Sequence, residues 1–473
     1  MSAPVKESTQ LKLLARSLLA GQARGAADPH RPLWHLAPTV GLLNDPNGFI
    51  QHQGRFHLFY QWNPFACRHG AKFWGHWSSA DLCYWRHEPV ALVPAEEYES
   101  HGCYSGSAVV NEGKLTLIYT GNVKFADGGR TAWQCLAVEN EQGGFDKLGP
   151  VLGLPEGYTG HVRDPKVWRA NDQWWMVLAA QDQQLQGKVL LYKSADLQHW
   201  SCSGEIAGSG LNGLGNFGYM WECPDLFSLN GNELLLFCPQ GLAPEGERYL
   251  NRYQAGFVVG QLDYAQGHFE HGEFQELDLG FECYAPQTTL TEDGRRLLFA
   301  WMGVPEQDEF LQPTCAYGWV HCMSAPRELT LEGGRLHQRP ARELTALRGE
   351  ASCWQGPASS LPALDLSAAE LQLQVSEPFA LEFGNAMSLE WDGQRLTLSR
   401  PALKDGSLES RYWRGELSAL TLLFDRSSLE IFINDGEAVM SGRYFPKGKA
   451  QLRGQGEGRL DLRYWPLRGC MLE

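Results

Sequence analysis

The chain is 473 residues long, which is more than one ordinary hydrophobic core accommodates, so we expect two domains. Apolar residues make up 43% of it and charged residues 20%, a balance typical of globular rather than disordered proteins. Its 40 Lys and Arg against 55 Asp and Glu give a net charge of −15. Such a surface repels nucleic acid and anionic lipid, so we expect neither as a partner.

Residues 1–28 are predicted to form a helical extension rather than a secretory signal. Leu11, Leu14 and Leu18 recur at helical spacing, and charged side chains interrupt the apolar positions that a signal requires. No stretch of the sequence reaches the uncharged length of a membrane span. The 12 Cys, without an export signal, favour reduced thiols and a cytoplasmic location.

Five apolar, strand-like segments recur along residues 29–341 at intervals of 59 to 63 residues. They are residues 56–61, 115–121, 174–180, 234–240 and 297–303. This interval fits a propeller blade of short strands joined by long loops. The repeat therefore predicts an all-β fold in which residues 29–341 form a five-bladed β-propeller.

A polar motif precedes each of these segments at the same phase of the repeat. The markers of the five motifs, 58 to 62 residues apart, are Asp45, Tyr104, Asp164, Glu222 and Tyr284. Equivalent positions in a closed propeller lie at the same radius, so we expect all five side chains at the central channel. Gathering three carboxylates there opposes folding through repulsion and desolvation, which favours a functional site over a set of turns.

Two carboxylates that flank one bond are the equipment of glycoside hydrolysis, and a third can support positive charge in the transition state. We expect the amides of Asn44 and Asn47 to keep Asp45 ionised as a nucleophile.

For the other two carboxyls the neighbours in sequence suggest opposite environments. Arg163 should keep Asp164 ionised, because an adjacent cation favours the charged form. The apolar run around Glu222 should raise its pKa by burial, as a general acid requires.

The motifs, taken in order, resemble those of glycoside hydrolase family 32, which contains invertases, sucrose-6-phosphate hydrolases and fructanases. The resemblance runs from about residue 35 to the C-terminus. It rests on Asn44-Asp45-Pro46-Asn47-Gly48, Phe59-Tyr60-Gln61, Trp74-Gly75-His76-Trp77, Ser105-Gly106-Ser107, Arg163-Asp164-Pro165-Lys166, Glu222-Cys223-Pro224-Asp225, Tyr284-Ala285-Pro286-Gln287 and Pro326-Arg327-Glu328-Leu329.

The resemblance implies a five-bladed propeller followed by a β-sandwich and the activity of a retaining β-fructofuranosidase. Sucrose, sucrose 6-phosphate and short fructo-oligosaccharides are the expected substrates, cleaved through a covalent fructosyl-enzyme intermediate. Asp45 would be the nucleophile, Glu222 the acid/base and Asp164 the stabiliser of the transition state. We expect substrate contacts from Asn44, Gln61, Trp74, Tyr104, Ser105, Arg163, Cys223, Tyr284, Trp301 and His69.

Residues 356–473, after a linker over 342–355, are predicted to form the β-sandwich. Residues 381–383, 389–391 and 396–399 alternate in polarity, and the strand-like run 429–433 is followed by Asn434-Asp435-Gly436, a strong hairpin signal. No catalytic constellation is evident in this domain, which we expect to cover one face of the propeller.

Three positions depart from the family pattern. Leu42-Leu43 stands where the family has Trp-Met, His69 takes the place of a tryptophan at the pocket rim, and Glu282-Cys283 replaces Asp-Phe. The carboxylates are retained, so the substrate rather than the chemistry is left open. His69 is either a contact for a polar or phosphorylated leaving group or an ordinary rim histidine.

Two other functions stay open at this point. One is an inverting propeller glycosidase for arabinose or xylose units, whose carboxyls would lie roughly 6.5–9.5 Å apart instead of roughly 5–5.5 Å. The other is a sugar-binding propeller without turnover. No helical HExxH motif or paired CxxC spacing is present, so we expect no metal and no cofactor. A homodimer is compatible with the sequence.

Overall fold

The computed structural model describes residues 5–469, which begin with helix α1 (Glu7–Ala26). The helical extension is confirmed over these residues; positions 1–4 of that prediction lie outside the described residues. Leu14 is buried as expected, but Leu11 is 39% exposed. The stripe that packs on the body passes through Gln10, Leu14 and Gly21, so Leu11 lies at its border. No helix within residues 5–469 is long and apolar enough to cross a membrane.

Five sheets follow, antiparallel apart from one short strand of the first, and in chain order each begins with the strand that carries a polar motif. The first two sheets contain β1 (Gly41–His52), β2 (Arg55–Asn63), β3 (Phe73–Ser79) and β4 (Trp85–His87), then β5 (Cys103–Asn111), β6 (Lys114–Lys124), β7 (Arg130–Glu139) and β8 (Phe145–Leu152). The third contains β9 (Tyr158–Ala170), β10 (Gln173–Asp182), β11 (Gly187–Ser194) and β12 (Trp200–Gly208).

The last two sheets of this part of the chain have additional short strands. The fourth contains β13 (Met220–Leu229), β14 (Asn232–Gln240), β15 (Gly256–Asp263), β16 (His268–His271) and β17 (Gln275–Glu276). After β18 (Tyr284–Leu290) and β19 (Arg296–Met302) come β20 (Trp319–Val320), β21 (Cys322–Met323), β22 (Arg327–Glu332) and β23 (Arg335–Pro340). The five apolar segments of the repeat are the second strands of the five sheets, so the predicted blades are confirmed.

The ring is closed by a strand that the sequence repeat does not reveal. Strand β20, although it follows the fifth blade's β19, pairs in parallel with β1 of the first blade. A parallel pairing between the end and the start of the ring joins the two terminal blades. Three-residue to six-residue 3₁₀ turns occupy the connections at Glu97–Glu99, Glu309–Leu311, Pro313–Tyr317, Arg342–Leu347 and Ala358–Ser360.

The segments that begin at Asp81 and Asp196 form the same turn in two different blades. Asp81 accepts hydrogen bonds from the backbone N–H groups two and three residues later, and Asp196 does the same. In both turns the following leucine has positive φ, 62° at Leu82 and 66° at Leu197. The indole N–H of the tryptophan three residues on donates to that leucine's carbonyl at 2.8 Å. The sequence similarity between these segments therefore reflects one shared turn.

The remaining strands form two sheets packed face to face around one apolar core, which confirms the sandwich. They are β24 (Ser352–Pro357), β25 (Ala368–Val375), β26 (Phe379–Phe383), β27 (Met387–Trp391), β28 (Arg395–Pro401), β29 (Leu408–Arg414), β30 (Ala419–Asp425), β31 (Ser428–Ile433), β32 (Ala438–Arg443), β33 (Leu452–Gln455) and β34 (Arg459–Pro466). Strand β24 begins ahead of the predicted start at residue 356. Strands β31 and β32 form the predicted hairpin.

Buried charges join the sandwich to the propeller. The guanidinium of Arg327, on β22, is fully buried and lies 2.8 Å from Glu430 on β31 and 3.0 Å from Asp278. The carboxylate of Asp425 accepts the backbone N–H groups of three consecutive residues ahead of β1, among them Trp34. The Pro-Arg-Glu-Leu motif thus has a structural role at this interface.

Candidate active site

The innermost strands of the five blades, β1, β5, β9, β13 and β18, contact one another in a closed ring. Each of them has a β-bulge at its polar motif, where the pairing with the second strand shifts register. The residues displaced from the ladders include Asp45, Ser105, Asp164, Cys223 and Ala285. Because bulges re-aim side chains, the equivalent bulges direct polar or thiol side chains from four of the five blades to one place.

Three of these residues also have left-handed backbone conformations. The φ angles are 66° at Asp164, 51° at Cys223 and 48° at Ala285. Non-glycine residues adopt such angles at a cost of about 1–3 kcal/mol and concentrate at functional sites. The strain at three equivalent positions therefore marks the axis of the propeller as the candidate site.

The carboxylate of Asp45 is held by side chains from two blades. Nδ2 of Asn44 donates to Oδ1 at 2.9 Å, and Oγ of Ser105 donates to Oδ2 at 2.5 Å. The thiol of Cys223 lies 3.7 Å from Oδ2. These donors fix the orientation of a carboxylate that is still partly open to solvent.

Cys223 also links Asp45 to Asp164. Its backbone N–H donates to Oδ2 of Asp164 at 3.0 Å, and its sulfur lies 3.6 Å from the same oxygen. Burial, together with the neighbouring carboxylates, raises the pKa of the Cys223 thiol well above its ordinary value. The sulfur is therefore a neutral thiol that can donate weakly to either carboxylate.

Glu222 is surrounded by donors on both of its carboxylate oxygens. Arg163 donates to Oε1 through Nη2 at 2.6 Å and through Nε at 3.1 Å. The hydroxyl of Tyr284 donates to Oε2 at 2.6 Å, and Nε2 of Gln240 donates to the same oxygen at 2.7 Å. Glu222 and Tyr284, predicted to lie at one radius, are thus in direct contact.

The pKa shifts of Glu222 and Asp164 are opposite in direction to those expected from the sequence. Burial acts to raise the pKa of Glu222, but Arg163 and Tyr284 outweigh it and hold the pKa below the ordinary value. Burial raises the pKa of Asp164 to about 7, with Glu222 and Asp45 reinforcing it and Arg163 opposing it. Both expectations were wrong because Arg163 donates to Glu222 and reaches Asp164 only at 3.9 Å.

His69 belongs to a network of ionisable groups behind Asn44. Its Nε2 lies 3.2 Å from the buried Glu309, and its Nδ1 lies 3.0 Å from Nζ of Lys72. Lys72 in turn donates to Oδ1 of Asn44. Burial lowers the pKa of Lys72 to about 8, although Asp45, Glu309 and Glu222 oppose that shift. The network therefore places an ammonium group beside the residue that orients Asp45.

Several predicted contact residues form the buried wall behind these groups. Gln61 and Trp74 are almost fully buried, and they donate to the backbone carbonyls of Cys103 and Tyr104. Trp301 is fully buried, with its ring centroid 6.1 Å from that of Tyr284 and 6.0 Å from that of His69.

Two side chains next to the motif are also buried. Asn47 is fully buried with its amide 3.2 Å from that of Gln61, and it makes no hydrogen bond with Asp45, contrary to the expectation. Leu42, the replacement for the family's tryptophan, is fully buried as well and does not line an opening.

Sequence reasoning missed Gln240, Lys72 and the pair Arg130 and His161. A signal existed for the first of them, because Gln61, Gln181 and Gln240 all stand near the end of a blade's second strand. The others lie in connections or at strand ends, where the repeat gives no guidance. Within residues 5–469 no group of three or more His, Cys, Asp or Glu is arranged to hold a metal ion.

Family models match most of the chain. Residues 35–340 match the model described as Glycosyl hydrolases family 32 N-terminal domain, and residues 394–465 match Glycosyl hydrolases family 32 C terminal. The sucrose-6-phosphate hydrolase of Salmonella typhimurium is 58% identical over 465 residues, which cover 98% of this chain and 99% of that protein.

Solved structures superpose over nearly the whole chain. A GH32 beta-fructofuranosidase of Bombyx mori is 34% identical with a TM-score of 0.89, covering 99% of this chain and 100% of that one. A mutant of that enzyme has been solved in complex with sucrose. The sucrose-6-phosphate hydrolase from Lactobacillus gasseri is 30% identical with a TM-score of 0.90, covering 96% and 97% of the two chains.

Proposed function

The chain belongs to glycoside hydrolase family 32, and from this premise we propose that it hydrolyses sucrose 6-phosphate and sucrose at the active site described above. It is a retaining β-fructofuranosidase. The observation that carries the residue assignment is that Asp45 and Asp164 occupy equivalent bulges of two blades, and Glu222 directly precedes the equivalent bulge of a third. The similarity to sucrose-6-phosphate hydrolases over almost the full length supports the phosphorylated substrate.

Asp45 is the proposed nucleophile. Its carboxylate attacks the anomeric carbon of the fructosyl unit while the bond from that carbon to the bridging oxygen breaks. The hydrogen bonds from Asn44 and Ser105 support this role, because they aim the carboxylate and leave it partly open to solvent. Water then attacks the resulting ester and regenerates Asp45.

Glu222 is the proposed acid/base. It gives a proton to the leaving oxygen in the first step and removes one from water in the second. The Glu222 and Asp164 carboxyls interact, so the protons they hold belong to the pair rather than to either residue. As the sugar hydroxyls enter and compete for the guanidinium of Arg163, Glu222 loses its strongest counter-charge and takes up the proton.

Asp164 then remains as the charged group beside the reacting carbon. Its contact with the backbone N–H of Cys223 fixes its position, so it can accept sugar hydroxyls and support positive charge in the transition state. The remaining proposed substrate contacts are those of the sequence prediction: Asn44, Gln61, Trp74, Tyr104, Ser105, Arg163, Cys223, Tyr284, Trp301 and His69.

The two alternative functions are not favoured. An inverting glycosidase for arabinose or xylose units does not agree with membership of a retaining family. A module that only binds sugar has no need of three carboxylates and a guanidinium gathered at one opening, since these groups oppose folding.

We further propose that the protein acts in the cytoplasm on a soluble sugar. A sugar phosphate carries charge that a lipid bilayer excludes, so its hydrolase works where the phosphate ester is formed. The 11 Cys within residues 5–469 are all unpaired, which agrees with a reducing compartment.

The test is fructose release from sucrose, sucrose 6-phosphate and kestose by the purified protein, with Asp45→Asn as the blank. We expect release from both sucrose compounds, with kestose slower, and none above background in the variant. Absence of release by the folded wild-type protein from all three sugars would refute the proposal. Release by the Asp45→Asn variant at a comparable rate would refute the assignment of the nucleophile.

A further inference from the structure

A pair of cations faces the same side of the active site as Glu222. Lys124 ends β6 and Arg130 begins β7, and these two residues stand directly opposite each other across the hairpin. Like charges directly opposite in an antiparallel pair destabilise it. The hairpin itself therefore gives no reason for two cations at this position.

Neither cation is neutralised within the part of the chain that the structure describes. Within residues 5–469 no carboxylate lies in ion-pair distance of Arg130 or Lys124, and Glu222, the carboxylate that acts on Arg130, forms its ion pair with Arg163 instead. The Lys124 side chain is exposed, and the guanidinium of Arg130 instead contacts the hydroxyl of Tyr104 and Nδ1 of His161, the latter at 3.0 Å.

His161 connects this pair to the catalytic acid. Arg163, which holds Glu222, also lies 3.2 Å from Nδ1 of His161, so two guanidinium groups share one imidazole nitrogen. Burial and the positive charges of Arg163, Arg130 and Lys124 lower the pKa of His161 to about 4. The imidazole is therefore neutral and accepts from both guanidiniums, so it does not offset the charge of Arg130, on which Glu222 acts only at longer range.

The histidine singled out by the sequence is a poor candidate for an anion. Both ring nitrogens of His69 are already engaged, and one of them lies 3.2 Å from the carboxylate of Glu309. A phosphate placed there would meet a negative charge at short range, whereas the Lys124 side of the site has none in ion-pair distance.

We propose that Arg130 and Lys124 bind the phosphate group of a phosphorylated leaving sugar. This rests on the proposed function, in which Glu222 protonates the leaving oxygen and so has the leaving sugar on its side of the site. A phosphate dianion accepts strong, charge-assisted hydrogen bonds from guanidinium and ammonium groups. Arg130, which His161 connects to the Glu222–Arg163 pair, and the neighbouring Lys124 are suited to bind that group.

The test compares kcat/KM for sucrose 6-phosphate and for sucrose in Lys124→Gln and Arg130→Gln, with Lys114→Gln as control. Lys114 begins the same strand and is also exposed, but it lies at the far end. We expect the ratio of the two kcat/KM values to fall about tenfold in Lys124→Gln and about 30-fold in Arg130→Gln. In the control the ratio stays that of the wild type.

Inhibition of sucrose hydrolysis by glucose 6-phosphate and by glucose provides a second readout. In each variant, inhibition by glucose 6-phosphate should weaken about as much as the kcat/KM ratio falls, and inhibition by glucose should stay unchanged. A ratio within twofold of wild type in both variants would overturn the phosphate site while the fructosidase assignment stands. A wild-type protein that cleaves neither sugar would instead overturn the proposed function itself. Because Lys124 is exposed, its variant tests the proposal even if Arg130→Gln fails to fold.

Discussion

Two N–H groups of Arg163 converge on Oε1 of Glu222, at 2.6 and 3.1 Å. Arg163, although next to Asp164 in sequence, therefore stabilises the carboxylate of Glu222. Asp164 lacks such a hydrogen bond from Arg163, and burial raises its pKa to about 7. The proton required for catalysis is held by this interacting pair of carboxyls. It reaches the leaving oxygen only if substrate weakens the hold of Arg163 on Glu222.

The pH dependence of kcat/KM follows from this relationship. Above about pH 7 the pair loses its proton, so kcat/KM for sucrose should fall about tenfold per pH unit. In Arg163→Gln the pKa of both carboxyls rises because each loses a nearby cation. The falling limb should therefore move to higher pH, although kcat/KM itself is lower. A profile that stays flat to pH 8.5 in the wild-type protein would contradict this account.

Asp164→Asn is expected to raise the stability of the protein at pH 8 and to lower its activity. Folding raises the pKa of Asp164 from 3.8 to about 7, so between these values the folded protein binds more protons than the unfolded chain. Its free energy of unfolding therefore falls as pH rises through that range, and asparagine, which cannot ionise, removes this loss. We expect Tm at pH 8 to rise by about 2 °C, with no change near pH 4, and hydrolysis to fall about 10²-fold or more.

The matched control for that variant is Asp172→Asn. Asp172 is an exposed aspartate that also has a positive φ, 59°, in the same blade. Its replacement should change neither Tm nor hydrolysis. A lower Tm for Asp164→Asn than for the wild-type protein at pH 8 would show that the Asp164 carboxylate stabilises the fold.

Glu222→Gln tests the acid role through the leaving group. Glutamine keeps the size of the side chain but cannot give up a proton, so cleavage of sucrose should slow about 10³-fold. A fructosyl fluoride needs little help from an acid, and its kcat/KM should fall about tenfold or less. Equal losses on the two substrates would argue that Glu222 acts on binding rather than on proton transfer.

The five blades could be predicted from the sequence because each second strand is a continuous apolar run. Strand β20, which closes the ring, could not, because two residues carry no periodic signal. The convergence of the polar markers was also predictable from their common phase, although the marker is a bulged residue only in the first and third blades and directly precedes the bulge in the other three. Because each bulge lies within one residue of its marker, the common phase was enough to predict that Asp45 and Glu222 share one site.

The partners of the charged side chains could not be predicted in the same way. Arg163 precedes Asp164 in the chain, yet Arg163 is still paired in the β9 ladder whereas Asp164 is in the bulge, and the guanidinium donates to Glu222 of the next blade. Lys72 lies in the connection before β3 and gives no signal of the buried contact that it makes with Asn44. Electrostatic neighbours depend on backbone detail that local sequence does not encode.

The interface between propeller and sandwich should depend on Arg327. Its replacement by alanine leaves Glu430 and Asp278 buried without their cation, which should lower the free energy of unfolding by about 3–5 kcal/mol. Arg335→Ala removes an exposed ion pair with Glu437 and should change the free energy of unfolding by about 0–1 kcal/mol. Denaturant unfolding of the two variants measures the difference, and equal stabilities would contradict the structural role of Arg327.

The most direct test of the central claim is mass spectrometry of the protein quenched with acid during turnover of sucrose. In a second form of the experiment, Glu222→Gln is given a fructosyl fluoride. This variant forms the intermediate but breaks it down slowly, so the adduct accumulates and can be located by peptide mapping. The account predicts one fructosyl unit, attached to the peptide that contains Asp45 and absent in the double variant with Asp45→Asn. An adduct on a different carboxylate, or turnover without any adduct, would contradict it.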